Sequence, residues 1–129
     1  MPPGRERAET HAVWLDGKPA DNFSYDLADT PCRAVLLDTR RCIESGVQAM
    51  YPNDGDLRKV RADSYVGEPI VGSRGEIYGL IVGVTHAPLR NGDVVQANLC
   101  ILAARTSAVY EQRDAMAQLH GERPSYHSK

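Results

Sequence analysis

Two runs of residues decide the fold: Ser64-Tyr65-Val66-Gly67-Glu68-Pro69-Ile70-Val71 and Ile77-Tyr78-Gly79-Leu80-Ile81-Val82-Gly83-Val84-Thr85. Both are β-rich, and Gly72-Ser73-Arg74-Gly75 between them reads as a hairpin connection. In the second run Tyr78, Leu80, Val82 and Val84 point one way, and Ile77, Gly79, Ile81 and Gly83 point the other. Both faces are apolar, which predicts a strand central in its sheet and covered on both sides. Gly79 and Gly83 strip one face of side chains, so a helix or a ligand can approach the backbone there.

Downstream, Pro88 and the Asn91-Gly92 turn precede a long helix, capped by Asp93 and running to about Leu119, with Gly121 and Pro124 ending it. This helix carries two apolar stripes. Val94, Ala97, Ile101, Ala104 and Ala108 form one; Val95, Leu99, Leu102, Val109 and Met116 form the other, turned by roughly a third of a circle. One stripe is enough to cover a sheet. The second needs a partner, and the matching helix of a second chain is the economical choice, so Val95, Leu99, Leu102, Val109 and Met116 are the expected dimer interface.

Upstream, His11 to Leu15, with the apolar run Ala12-Val13-Trp14-Leu15, followed by Asp16-Gly17 reads as a strand and a tight hairpin turn. Asn22 to Leu27 alternates Phe23, Tyr25 and Leu27 against polar neighbours, a strand with one wet face. Thr30-Pro31 is a helix start: Thr30 caps, and Pro31 takes the first helical position, so Cys32 to Leu37 is a short helix. Cys42-Ile43 opens a brief extended piece, and the stretch around Val47 to Met50 reads as a second short helical or irregular segment. Tyr51 to Asp56 is a loop with solvated carboxylates, and Leu57 to Val60 one helical turn.

The chain has 129 residues, enough for one domain with a core, and its expected organisation is a disordered tail over 1–11, a domain over 12–119 and a tail over 120–129. A net charge of -2 with signs mixed along the chain gives no footprint for nucleic acid or an anionic membrane. No apolar run is long enough to span a bilayer and no secretory signal is recognisable. Three cysteines, odd in number and widely spaced, read as free thiols. The expected location is the cytoplasm.

The order strand, strand, capped short helix, loop, hairpin, long helix resembles the GAF family. The stretches that carry the resemblance are Phe23-Ser24-Tyr25-Asp26-Leu27 with Thr30-Pro31-Cys32, then Tyr51-Pro52 with Asp54. Ser64 to Ile70, Gly75 with Tyr78 to Val82, and Pro88-Leu89 complete the set. Together they are similar to GAF domains found beside PAS, histidine-kinase and diguanylate-cyclase modules. The resemblance implies an α+β, PAS-related fold: a central antiparallel sheet, short helices on one face and the long C-terminal helix on the other. It also implies a first helix and strand ahead of Ala12 that residues 1–11 do not resemble. A sheet position and a patch of core are therefore expected to lie uncovered unless a second chain or another packing of the termini fills them.

In GAF domains a ligand sits between the sheet and the short helices and loops that cross it. The resemblance maps that space to Trp14, Tyr25, Cys32, Val35, Cys42, Val47, Met50, Tyr65, Gly79 and Gly83. Tyrosines there offer a flat apolar body and one orienting hydroxyl. Cys32, near a helix N-terminus, is placed where the helix dipole lowers a thiol pKa. One GAF branch, the free methionine-R-sulfoxide reductase, works through such cysteines, but it needs another in the segment Pro52 to Asp63, which contains none. The cysteines lack the neighbouring histidine of the bilin-binding branch, and no His or Cys pair has metal spacing. No metal, cofactor or catalytic constellation is expected. The reading is a non-catalytic sensory module that binds a small molecule and dimerises, with a histidine kinase or diguanylate cyclase as signalling partner. The alternatives are a purely structural dimerisation module and a thiol-dependent reductase.

Overall fold

A computed structural model describes residues 7–15, 17–37 and 40–119. The chain is α+β, with antiparallel sheets and a long C-terminal helix. Two small two-stranded sheets come first. In one, β1 (Arg7–Glu9) pairs with β4 (Ser24–Asp26); in the other, β2 (Val13–Leu15) pairs with β3 (Lys18–Ala20). The second is the hairpin expected at Asp16-Gly17, with Gly17 in the left-handed region at φ 78, which glycine adopts without strain. The N-terminal tail expected over 1–11 is ordered from Arg7 onward, because the β1 backbone finds partners on β4 and the Thr10 hydroxyl binds Asn22. Residues 1–6 and the tail expected over 120–129 lie outside the described residues.

Three short helices follow: α1 (Pro31–Leu36), α2 (Val47–Met50) and α3 (Gly55–Lys59), with β5 (Arg41–Ile43) between the first two. Pro31 opens α1 as expected, but Thr30 does not cap it. Its hydroxyl turns back and donates to the Leu27 carbonyl at 2.7 Å, closing the turn into the helix instead. The cap that forms is on α3. Asp54 accepts from the Asp56 and Leu57 amides at 3.1 and 3.3 Å, a bond to the second and third positions characteristic of an N-cap. Asp54 is therefore buried, and the expectation of solvated carboxylates in this loop fails for it.

The main sheet has the order β5-β6-β7, with β6 (Ser64–Val71) and β7 (Ile77–Thr85) forming the hairpin. Cys42 lies opposite Val66, Tyr65 opposite Val84, Gly67 opposite Val82 and Glu68 opposite Ile81. Among the described residues the central strand is β6, buried from Ser64 through Ile70, and β7 lies at the edge. This corrects the expectation that the second run is central. Nor is it covered on both faces: no residue of β7 is fully buried, Val82 is 40% exposed, and apolar alternation says nothing about a neighbour on the outer edge.

One face of the sheet carries the core. Leu27, Cys32, Val35, Ile43, Val47, Leu57, Ala62 and Tyr65 are buried together, with Leu80 and Val84 of β7 packed against them. The other face carries α4 (Gly92–Leu119). Asn91 opens α4 by accepting the Val94 and Val95 amides on its backbone carbonyl, so Asp93 lies in the first turn rather than at the cap.

Candidate ligand and dimer surfaces

Around Cys32 the structure gathers five of the residues expected to line a ligand space. Tyr65 donates its hydroxyl to the Cys32 sulfur at 3.2 Å. Tyr25 hydrogen-bonds to the same thiol. Val35 and Val47 are fully buried beside them. Burial pushes the Cys32 thiol up from its ordinary pKa, against the opposing pull of the two tyrosine hydrogen bonds. Burial, then the proximity of Cys32, pushes both phenols above their ordinary range. The helix-dipole expectation is thus reversed: a six-residue helix does not offset the loss of water around the sulfur. At neutral pH the cluster is three protonated groups, with no thiolate.

Space above the sheet at this point is filled by the protein itself. A Cβ placed on Gly67 would lie 2.7 Å from Val35 Cγ2 and 2.8 Å from the Tyr65 hydroxyl oxygen. Gly67 is the residue that lets α1 sit this close.

The other expected pocket residues are elsewhere. Trp14, on the β2–β3 hairpin, is 67% exposed, and Met50 at the end of α2 is 55% exposed. Cys42 points to the opposite face of the sheet, where its sulfur lies 2.6 Å from the position a Cβ on Gly92 would take. Its thiol is also pushed up, by partial burial first and then by Glu44 and Asp93. Gly79 and Gly83 lie on that same α4 face. A Cβ on Gly83 would meet nothing within 4 Å, and one on Gly79 would only touch Ile70 at 4.0 Å. The helix expected to approach the backbone there does not do so.

The packing of α4 is the reverse of the expected one. Neither apolar stripe forms the face seated on the sheet. The buried residues are Gly92, Ala103 and Ser107, small or polar, and the hydrogen bonds from α4 to the sheet come from Gln96 and Ser107. Gln96 donates to the Glu68 carboxylate at 2.7 Å and to the Gly67 carbonyl at 3.1 Å. Arg40 pairs with the other Glu68 oxygen at 3.1 Å, and Ser107 donates to the Val71 carbonyl at 2.7 Å. Beyond the hairpin turn, Glu111 accepts from the Ser73 amide and hydroxyl, which holds its carboxyl below the usual range. Tyr110 packs on Tyr78 with ring centroids 5.4 Å apart.

Outward, α4 presents Val94, Ile101, Leu102, Val109, Met116 and Leu119, each at least half exposed. Of the expected dimer residues, Leu102, Val109 and Met116 are among these, while Val95 and Leu99 are half-buried on the flank of the helix. The polar seam was missed by apolar periodicity. Its signal was present: Gln96, Cys100, Ala103 and Ser107 recur at helical spacing, and Glu68 is the lone charge in an otherwise uncharged strand.

Among the described residues no group of His, Cys, Asp or Glu is arranged to hold a metal ion. No described helix is long and apolar enough to cross a membrane. No protein-family model matches the chain, and neither a curated protein nor a solved structure matches it.

Proposed function

We propose that this chain is a non-catalytic, GAF-like regulatory module that dimerises through α4 and binds a small molecule as part of signal transduction in the cytoplasm. The observation that carries the reading is the orientation of α4, which spends its polar residues on Glu68 and the β6 carbonyls and turns Leu102, Val109 and Met116 outward. Half-exposed aliphatic side chains repeating every seven residues are the pattern of a helix that packs on another helix. A histidine kinase or diguanylate cyclase is the signalling partner in this reading, because α4 leaves the sheet as a rod able to pass a change in packing onward. The protonated Cys32 cluster supports the non-catalytic assignment over a thiol-dependent reductase.

The close packing of Val35 and Tyr65 over Gly67 favours a second reading, a structural dimerisation module with no ligand. Light scattering over a range of concentrations tests the shared part. The native chain is expected to give a dimer, and the double variant Leu102→Glu, Val109→Glu a folded monomer. A native chain that is monomeric throughout removes the proposal. Native mass spectrometry of the dimer separates the two readings by the presence or absence of a retained small molecule.

A further inference from the structure

One step of β6 is pressed from both faces of the main sheet. Side chains alternate along a strand, so Gly67 looks toward the core and Glu68 toward α4. On the core face Val35 and Tyr65 close over Gly67, so tightly that a Cβ there would lie 2.7 Å from Val35 Cγ2 and 2.9 Å from Tyr65 Cε1. On the α4 face the Gln96 amide spans the same step, donating to the Gly67 carbonyl at 3.1 Å and to the Glu68 carboxylate at 2.7 Å. We infer that the Gly67–Glu68 step is a regulatory joint: a small molecule that displaces Val35 on the core face loosens Gln96 on the other, and so resets the dimer surface of α4. This rests on the dimer and ligand reading above and states how the one governs the other.

The core side has no slack in which such a displacement is lost. Val35, Val47 and Tyr65 are fully buried around Cys32, and Tyr65 is tied to the thiol at 3.2 Å. Interiors packed this densely pass strain on rather than absorb it. A molecule seated against Tyr25, Cys32 and Tyr65 therefore takes its room from α1, and Val35 is the α1 side chain that bears on Gly67. Only backbone separates the Val35 contact from the Gln96 contact.

The α4 side turns that strain into a change of helix position. A glutamine amide has two hydrogens to donate, and here Gly67 and Glu68 take both. A shift of the Gly67 carbonyl leaves Gln96 on Glu68 alone, a carboxylate it shares with Arg40 at 3.1 Å. In its first half α4 is held to β6 by Gln96; in its second, Ser107 and Glu111 hold Val71 and Ser73. Slackening the first anchor lets α4 turn about the second, which swings Leu102 further than Met116. Leu102, Val109 and Met116 are exposed and form the face on which α4 pairs with its copy, so the swing misaligns that face.

Dimer dissociation constants of the full chain, from light scattering over a dilution series, test the joint. Val35→Ala is expected to weaken the dimer at least about fivefold, the low end of coupling between two sites. Val47→Ala removes the same atoms from α2 in the same core and is expected to change the constant less than about twofold. In a Gln96→Ala background the effect of Val35→Ala is expected to fall below about twofold, because the joint is already open. A native dimer that Val35→Ala weakens no more than Val47→Ala does overturns the joint and leaves dimerisation standing. An equal effect of Val35→Ala with and without Gln96 overturns it as well. A native chain that is monomeric throughout removes the dimer reading and the joint with it. Should Val35→Ala not fold, Val35→Ile presses on Gly67 instead, and is read against Val47→Ile by the same criteria.

Discussion

Gln96 donates its side-chain amide to the carboxylate of Glu68 at 2.7 Å, and Glu68 is only 3% exposed at the centre of the main sheet. A carboxylate buried on a central strand is costly unless its oxygens are satisfied. Here one oxygen takes Gln96 and the other takes Arg40. That requirement decides which face of α4 turns inward. A helix rotated to bury Leu102 or Ile101 would carry Gln96 away and leave Glu68 short of a donor.

Removing Gln96 therefore destabilises the fold more than its partial exposure suggests. Gln96→Ala is expected to cost about 1.5–3 kcal/mol, the range for a hydrogen bond to a charged group. The double variant Glu68→Leu, Gln96→Leu is expected to be less destabilised than either single change, because the buried charge is gone along with its partner. Urea denaturation of the four proteins measures the coupling.

Gly67→Ala inserts a methyl group 2.7 Å from Val35 Cγ2. The expected loss is about 1–3 kcal/mol from overpacking. Val35→Ala in the same chain opens room and is expected to recover part of it, although Val35→Ala alone is destabilising. Thermal unfolding of the single and double variants decides.

The Cys32 cluster gives the protein an alkaline limit. Burial raises the thiol pKa in the folded state, so between the ordinary thiol range and the higher folded value the native chain binds more protons than the unfolded one. Stability from this group is complete below the unfolded pKa and falls as pH rises above it. Tyr25 and Tyr65 act in the same direction at higher pH. Urea midpoints are expected to decline above about pH 9, with a shallower decline in Cys32→Ala. In the native protein at pH 8, Cys42 is expected to react with a thiol reagent well before Cys32, which mass mapping of the labelled peptides would show.

Asp54 holds the start of α3 with two backbone hydrogen bonds, yet burial raises its carboxyl pKa despite them. Asp54→Ala is expected to cost about 1 kcal/mol, the usual loss for a removed cap. Asp54→Asn keeps an acceptor oxygen without a charge to desolvate and is expected to cost less. A denaturation series on the two variants tests the order.

Local signals in the sequence were enough for most of the elements, but not for β1, which lies in the stretch expected as a tail, or for β3. Gly17 and Gly75, both in the left-handed region, mark the two hairpin turns. Pro31 marks the start of α1, and the Gly-free, Pro-free run from Asp93 to Leu119 marks α4. These depend on backbone preferences of single residues and near neighbours, which are written in the chain. Tyr25, Cys32 and Tyr65 could be named as candidates only through the resemblance to GAF domains, not through any local period.

Only the tertiary structure decided which sides meet. The period of β7 is the same whether its outer edge is paired or bare, since side chains alternate above and below a sheet while pairing occurs in its plane. Two apolar stripes on α4 left its rotation open, and Glu68, over twenty residues away, settled it through Gln96. Thr30 and Asp54 were equally good caps by residue type, and the Leu27 carbonyl took the Thr30 hydroxyl away from α1. In each case the choice was made by a hydrogen-bonding group distant in sequence or outside the element, where local pattern carries no information.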